Sequence, residues 1–219
     1  MRGCQVIEQL DALAIDIARC QECPLWQGDG TSLNMAVPGV GPAHASVMFI
    51  AEAPGEHEAE TGLPFMGAAG TRLNALFSLT RLERSDVFLT NLLKHRPPRN
   101  KFLKRHAKAC AHWLDAQLEQ VRPRVIITLG RHAAAHFDKK TRLTTDHGRA
   151  RRVTYAGRDY WLIPMYHPAA ALYDAKLWMV MVEDFRRLNI EMEGLEMTQP
   201  VQPVYSLATD AAATQLAMT

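Results

Sequence analysis

Four short apolar runs constrain this chain more than any other feature: Val47-Met-Phe-Ile-Ala51, Val87-Phe-Leu-Thr-Asn91, Val125-Ile-Ile-Thr-Leu129 and Tyr160-Trp-Leu-Ile-Pro-Met165. They are continuously apolar rather than alternating, the pattern of a strand buried on both faces. Such strands belong to parallel sheets, whose crossovers cover both faces with helices. The intervening sequence agrees. Val6, Ile7, Leu10, Leu13, Ala14 and Ile17 recur at helical spacing and run into Cys20. Further helices are predicted over about 68–79, 104–119, 133–137 and 174–188. The expected fold is α/β: a three-layer α/β/α domain around a central, mostly parallel, four-stranded sheet. Residues 1–190 form this one domain, and 219 residues suffice for its core. The Thr-, Gln-, Pro- and Ala-containing remainder, 191–219, reads as a disordered tail.

Ligands of open parallel sheets sit beyond the carboxyl ends of the strands. Glu52, Asn91 and His167 each follow a buried run closely, so the chemistry is expected at that edge.

A second signal comes from the cysteines. Cys20-Gln-Glu-Cys23 closes the first helix, and Cys110 lies on a later one. A C-x-x-C pair with a distant third cysteine reads as a thiolate site for zinc or an iron–sulfur cluster. A fourth ligand is needed, and Cys4 and His95 are the candidates. No apolar stretch is long enough to span a bilayer, and the first residues lack a signal-peptide core. The expectation is a cytoplasmic protein with reduced cysteines, acting as a monomer away from membranes.

The formal net charge is only +2, yet the basic residues cluster. Lys94, His95, Arg96, Arg99, Lys101, Lys104, Arg105, His106 and Lys108 form one run; Arg149, Arg151 and Arg152 form another. Two such runs on a nearly neutral chain suggest a local anionic partner.

Ala51-Glu-Ala-Pro-Gly55, Glu58 and Thr61-Gly-Leu-Pro-Phe-Met-Gly67 together resemble the first motif of family 4 uracil-DNA glycosylases. Thr90-Asn-Leu-Leu-Lys-His-Arg-Pro-Pro-Arg-Asn100 resembles their second conserved stretch, and Met165-Tyr-His-Pro168 their third. The C-x-x-C pair and Cys110 fall where that family holds a [4Fe–4S] cluster. The likeness runs in order from about Cys20 to Leu188. There are two departures: Ala51 stands where the family usually has glycine, and His95 where it usually has cysteine. Histidine replaces cysteine at iron in Rieske centres and raises the potential. The resemblance therefore implies Cys20, Cys23, His95 and Cys110 as cluster ligands. Two alternatives stay open. In one, Cys4 is the fourth ligand and His95 lies on the surface or faces a phosphate; in the other, zinc replaces the cluster, since three cysteines and a histidine suit zinc.

The activity implied is hydrolysis of the N-glycosidic bond of uracil in single- or double-stranded DNA. A flipped base needs a stacking platform and a reader of its edge. By resemblance these are Phe65 and Asn91, with Glu58 bordering the C5 side of the base; Ala53 stands where better-known uracil glycosylases have an aspartate. The bland readings are a core plug for Phe65, turn chemistry for Asn91 and a solvated acid for Glu58. His167, as a neutral imidazole, would donate to uracil O2, while Glu52 or Asn100, or more weakly Glu56, would place the water. Arg96, Arg99, Lys101 and Arg105 would hold phosphates, and Leu172 would wedge into the minor groove unless it starts the last helix. The rival function is a uracil- or abasic-DNA-binding protein with little turnover, forming a covalent adduct. Its signature loop is barely echoed in Lys104-Arg-His106, which reads more simply as a helix start. A third reading is a zinc-stabilised binding module without catalysis.

Overall fold

The computed structural model describes residues 2–28 and 33–195, the first four of them as backbone only. Its centre is a five-stranded sheet of order β2-β1-β3-β5-β4. The strands are β1 (Val47–Ala51), β2 (Phe88–Asn91), β3 (Val125–Leu129), β4 (Arg151–Tyr155) and β5 (Arg158–Met165). The β1–β2, β1–β3 and β3–β5 pairs are parallel, and β4 runs antiparallel to β5. The four strands predicted from apolar runs are the parallel set, and β4 is added at the edge. That strand escaped notice because it has no continuous apolar run: Arg152 and Thr154 are exposed between half-buried neighbours. A two-residue turn joins it to β5, with Ala156 and Gly157 both at positive φ, the geometry that matches strand twist.

Alternation across β1 builds the two cores. Val47, Phe49 and Ala51 face one side, with Leu73, Leu76, Phe77, Phe185 and Leu188. Met48 and Ile50 face the other, with Leu10, Leu114, Leu118 and Ala133. The first core is covered by α3 (Ala68–Phe77) and α7 (Ala175–Gly194), the second by α1 (Arg2–Ala18), α4 (Lys104–Val121) and α5 (Arg131–Phe137). Successive strand residues point to opposite faces, so a wholly buried strand feeds two helical layers.

Two boundaries differ from expectation. The segment after β1, for which no helix was predicted, contains α2 (Glu56–Thr61), flanked by Gly55 at its start and left-handed Gly62 at its end. Its acids Glu56 and Glu58 suit a helix N-terminus. A further short helix, α6, covers Leu143–Asp146. At the other end, α7 runs through Gly194, past the expected domain limit at 190, and Leu195 is buried against the first core. The Glu191 carboxylate also accepts from Ala150 N–H, which anchors the stretch where apolar periodicity fades. The rest of the expected tail, 196–219, lies outside the described residues.

The chain leaves β1 toward β2 on one side, then returns past β1 to β3 on the other. That reversal opens a crevice at the carboxyl ends of β1 and β3, where such sheets take ligands.

Candidate active site

A cavity of about 300 Å3 opens at that edge. Its lining comes from three strand exits and the loops behind them: Glu52, Ala53, Pro54 and Gly55 after β1, Asn91 at the end of β2 with Pro97 and Asn100 beyond it, and His167 and Ala169 after β5. Glu58, Phe65 and Ala69 close the remaining wall. Glu52, Ala53, Glu58, Phe65, Asn91, Asn100 and His167 all lie on this one surface, whereas Glu56, the weaker option for placing the water, does not line it. Pro54, Gly55, Ala69, Pro97 and Ala169 were not singled out, because apolar and glycine linings carry no chemical signature in sequence.

His167 has a fixed ionisation state and tautomer. Burial holds its pKa at about 4, only partly opposed by the Glu58 carboxylate, so the ring is neutral at physiological pH. Ala169 N–H donates to Nδ1 at 3.1 Å. Nδ1 is thus the acceptor, and the single ring proton belongs on Nε2.

Phe65 faces His167, with ring planes 26° apart and centroids separated by 6.4 Å. It holds φ of 58°, an unusual value for a bulky residue. Three features keep it there. Arg84 donates to Pro64 O and Phe65 O. Glu58 Oε1 accepts from Met66 N and Gly67 N at 2.8 and 3.0 Å. A Cβ on Gly70 would lie 1.7 Å from Phe65 O, so only glycine lets the loop approach. Glu58 is thus buried and pinned, which overturns its reading as a solvated acid. Phe65 belongs to the first core, as its bland reading expected, and also lines the cavity. Nothing in the sequence pointed to Arg84, which comes from the turn before β2.

Burial raises the Glu52 carboxyl above its ordinary pKa, with Arg131 pulling the other way. Its Oε2 is 3.8 Å from His132 Nε2, too far for a hydrogen bond. Asn100 Oδ1 accepts from Arg96 Nε at 3.1 Å, and Arg96 reaches Glu56 at 3.3 Å. Arg99 and Asn100 both hold positive φ, 54° and 53°, so this stretch turns sharply at the cavity mouth. Arg99, Lys101 and Arg105 are exposed, Arg96 partly so. Arg96 and Arg99 border a smaller recess beside the main cavity; Lys101 and Arg105 lie outside both. Leu172 ends a short turn, Pro168–Leu172, while α7 starts later at Ala175, capped by Asp174. It therefore does not begin the last helix. It is exposed, and its neighbour Tyr173 is 91% exposed.

The cysteines form a separate buried centre. Cys20, Cys23 and Cys110 are all free and buried. Cys23 and Cys110 pack with Leu25 and Leu93, and Trp113 Nε1 donates to Cys20 Sγ at 3.2 Å. Burial pushes the Cys110 thiol up to about 11; the Lys94 backbone N–H and ammonium oppose this, and Cys23 and Cys20 add to it. The three sulfurs thus share one neighbourhood. His95 is buried rather than on the surface, and its Nδ1 has no hydrogen-bond partner. Asn34 holds the adjoining Arg96 carbonyl and the Leu25 carbonyl together, which ties the His95 segment to the Cys23 turn. The side chain of Cys4 lies outside the described residues. Among the described residues, no group of three or more His, Cys, Asp or Glu is arranged to hold a metal ion. His106 is buried in the first turn of α4 and does not line the cavity.

A model of the uracil DNA glycosylase superfamily matches residues 38–189. A type-4 uracil-DNA glycosylase of Saccharolobus solfataricus is 40% identical, over 88% of this chain and 90% of the relative. Those of Sulfurisphaera tokodaii and Archaeoglobus fulgidus are 36% and 38% identical, each over 84% of this chain and over 84% and 93% of the relative. No helix among the described residues is long and apolar enough to cross a membrane.

Proposed function

The chain belongs to the uracil-DNA glycosylase superfamily, and we propose that it hydrolyses the N-glycosidic bond of uracil in DNA, leaving an abasic site for repair. One observation carries the chemistry: a neutral His167 with its proton on Nε2, at a cavity wall opposite Phe65.

The bond between uracil N1 and sugar C1′ breaks with its electron pair going to the base. Negative charge then collects on O2 of the departing uracil, where the His167 Nε2–H stabilises it without transferring the proton. A preorganised neutral donor suits a developing anion and needs no protonation. The amide of Asn91 can donate to O4 and accept from N3–H, a match that cytosine breaks. Phe65 supplies the stacking lost on extrusion, and Glu58 holds the loop that presents it. Positive charge on the sugar draws in a water, which attacks C1′ and loses a proton to solvent, while the uracil anion takes one up from solvent on release. Glu52 is the residue we assign to orient that water, with Asn100 beside it. Arg96, Arg99, Lys101 and Arg105 grip phosphates, and Leu172 enters the minor groove.

Cys20, Cys23, His95 and Cys110 would hold a four-iron cluster. The chemistry of the donors, rather than their arrangement, supports this: three buried free thiols share one neighbourhood, and a buried Nδ1 without a partner lies on the segment tied to them. When bound, the cluster would tether the N-terminal turn to the DNA-gripping segment; glycosyl cleavage transfers no electron. Iron and sulfide analysis separates it from zinc. The reading carries with it a monomer acting in the cytoplasm.

The test is release of free uracil from single- and double-stranded oligonucleotides containing uracil. Catalytic turnover with no protein–DNA band on denaturing gels is expected. Stoichiometric binding or a covalent band without release would favour the DNA-binding alternative.

A further inference from the structure

Lys94 is wholly buried, and the chemistry above makes no use of its side chain. An ammonium is rarely placed there unless it is fully paired. Here its Nζ donates to Thr90 Oγ1 and Asn91 O, both at 2.8 Å, and to Gln117 Oε1 at 2.7 Å. When protonated it meets three oxygens with three donors, although burial lowers its pKa to about 7, with Cys110 opposing. Gln117 also donates to Pro38 O, and Thr90 Oγ1 donates to Gln117 Oε1, so the network spans β2, α4 and the loop before β1. The same residue also bears on the cysteine centre, where its backbone N–H and its charge oppose the burial that raises the Cys110 thiol. Cys110 and Gln117 lie two turns apart on α4, on the face turned toward this loop.

The Asn91 carbonyl is the informative partner. Leu92 N–H donates to Ala51 O at 2.9 Å, so the Asn91–Leu92 peptide is held from both edges, by β1 and by Lys94. Fixing that peptide fixes the direction in which the Asn91 side chain leaves the strand end and meets the cavity.

We propose that Lys94 is a positioning residue for base recognition: its clamp on the Asn91 carbonyl holds the Asn91 amide in register with the uracil edge. The proposal rests on the reading of Asn91 as the base reader, and the test separates the two. Single-turnover uracil excision is measured for Lys94→Met, Asn91→Ala and the double variant. Methionine keeps the buried stem and removes the donors. Lys94→Met should lower the rate on the order of tenfold, the scale of coupling between contacting groups. The double variant should be no slower than Asn91→Ala alone, since Lys94 acts only through Asn91. Iron content should stay at the wild-type level, because the backbone N–H to Cys110 remains. Where Lys94→Met does not fold, the cycle is run with Lys94→Met/Gln117→Met, which removes one of the acceptors left unpaired. Multiplying effects, a wild-type rate in the lysine variant, or iron loss that tracks the fall in rate would each overturn the proposal. A wild-type rate for Asn91→Ala would instead remove Asn91 from base reading.

Discussion

His167, the donor proposed to stabilise the departing base, illustrates how burial and one hydrogen bond set a side chain's protonation. Its ring is neutral because it is desolvated, and its tautomer is set by Ala169 N–H. His167→Ala should cut single-turnover excision by about two to three orders of magnitude, the usual cost of one oxyanion-type donor. The pH profile provides a second measurement. With its pKa at about 4, His167 contributes no break in rate between pH 5 and 8, whereas an ordinary histidine would break near 6.5. An acid limb is expected from Glu52, whose raised pKa costs it the carboxylate at higher pH than usual, and Glu52→Gln should flatten that limb while lowering the plateau. Stability follows the opposite group. The unfolded chain takes up a proton below about 6.5 that the folded His167 refuses until about 4. Stability therefore falls across that window, and denaturant midpoints at pH 7 and 5 should differ less in His167→Ala than in wild type.

At the scale of elements, the segment between β2 and α4 unites the molecule's two centres. Asn91, Pro97 and Asn100 line the cavity, while Leu93 packs on Cys23 and Cys110 and His95 lies buried between. His95→Cys should keep iron and fold, since thiolate is a normal cluster ligand. His95→Ala should lose iron or leave the cluster labile to oxygen, and should weaken DNA binding as the segment loosens. Cys4→Ala should do neither. Iron and sulfide content of the three proteins decides it; iron lost from Cys4→Ala and kept by His95→Ala would make Cys4 the fourth ligand. The turn after β5 is the other element on which the proposed function relies. It presents Leu172 and the almost fully exposed Tyr173 beyond the cavity rim. A wedge into a base stack matters only where a stack exists. Leu172→Ala should thus slow excision from duplex DNA on the order of tenfold and leave single-stranded substrate nearly unchanged. Equal losses on both would remove the wedge.

For the whole molecule, the formal net charge of +2 conceals a local cationic edge around Arg96, Arg99, Lys101 and Arg105. Affinity for DNA should fall with salt, and each of Arg99→Ala, Lys101→Ala and Arg105→Ala should reduce the log–log salt slope by about 1. Saturated single-turnover rates should hold, because phosphate contacts position the substrate without touching the reacting bond. How much of this was legible in advance follows from the range of the forces involved. The parallel strands, the helices between them and the strand-end placement of Glu52, Asn91 and His167 were readable because burial on both faces leaves a local, periodic trace. The cysteine pattern was readable because a C-x-x-C pair is local in sequence, and the structure buries Cys20, Cys23 and Cys110. By contrast, β4 pairs at an edge, and its half-polar pattern gives no such trace. The burial of Glu58, the hold of Arg84 on Phe65, the tautomer of His167 and the Lys94–Asn91 clamp depend on groups brought together from distant parts of the chain or through turns that composition does not specify. The sequence by itself determined which elements form and which residues stand at the strand ends. Only the tertiary structure decided how each of those residues is desolvated, paired and aimed, because desolvation and hydrogen bonding depend on neighbours in space rather than in sequence.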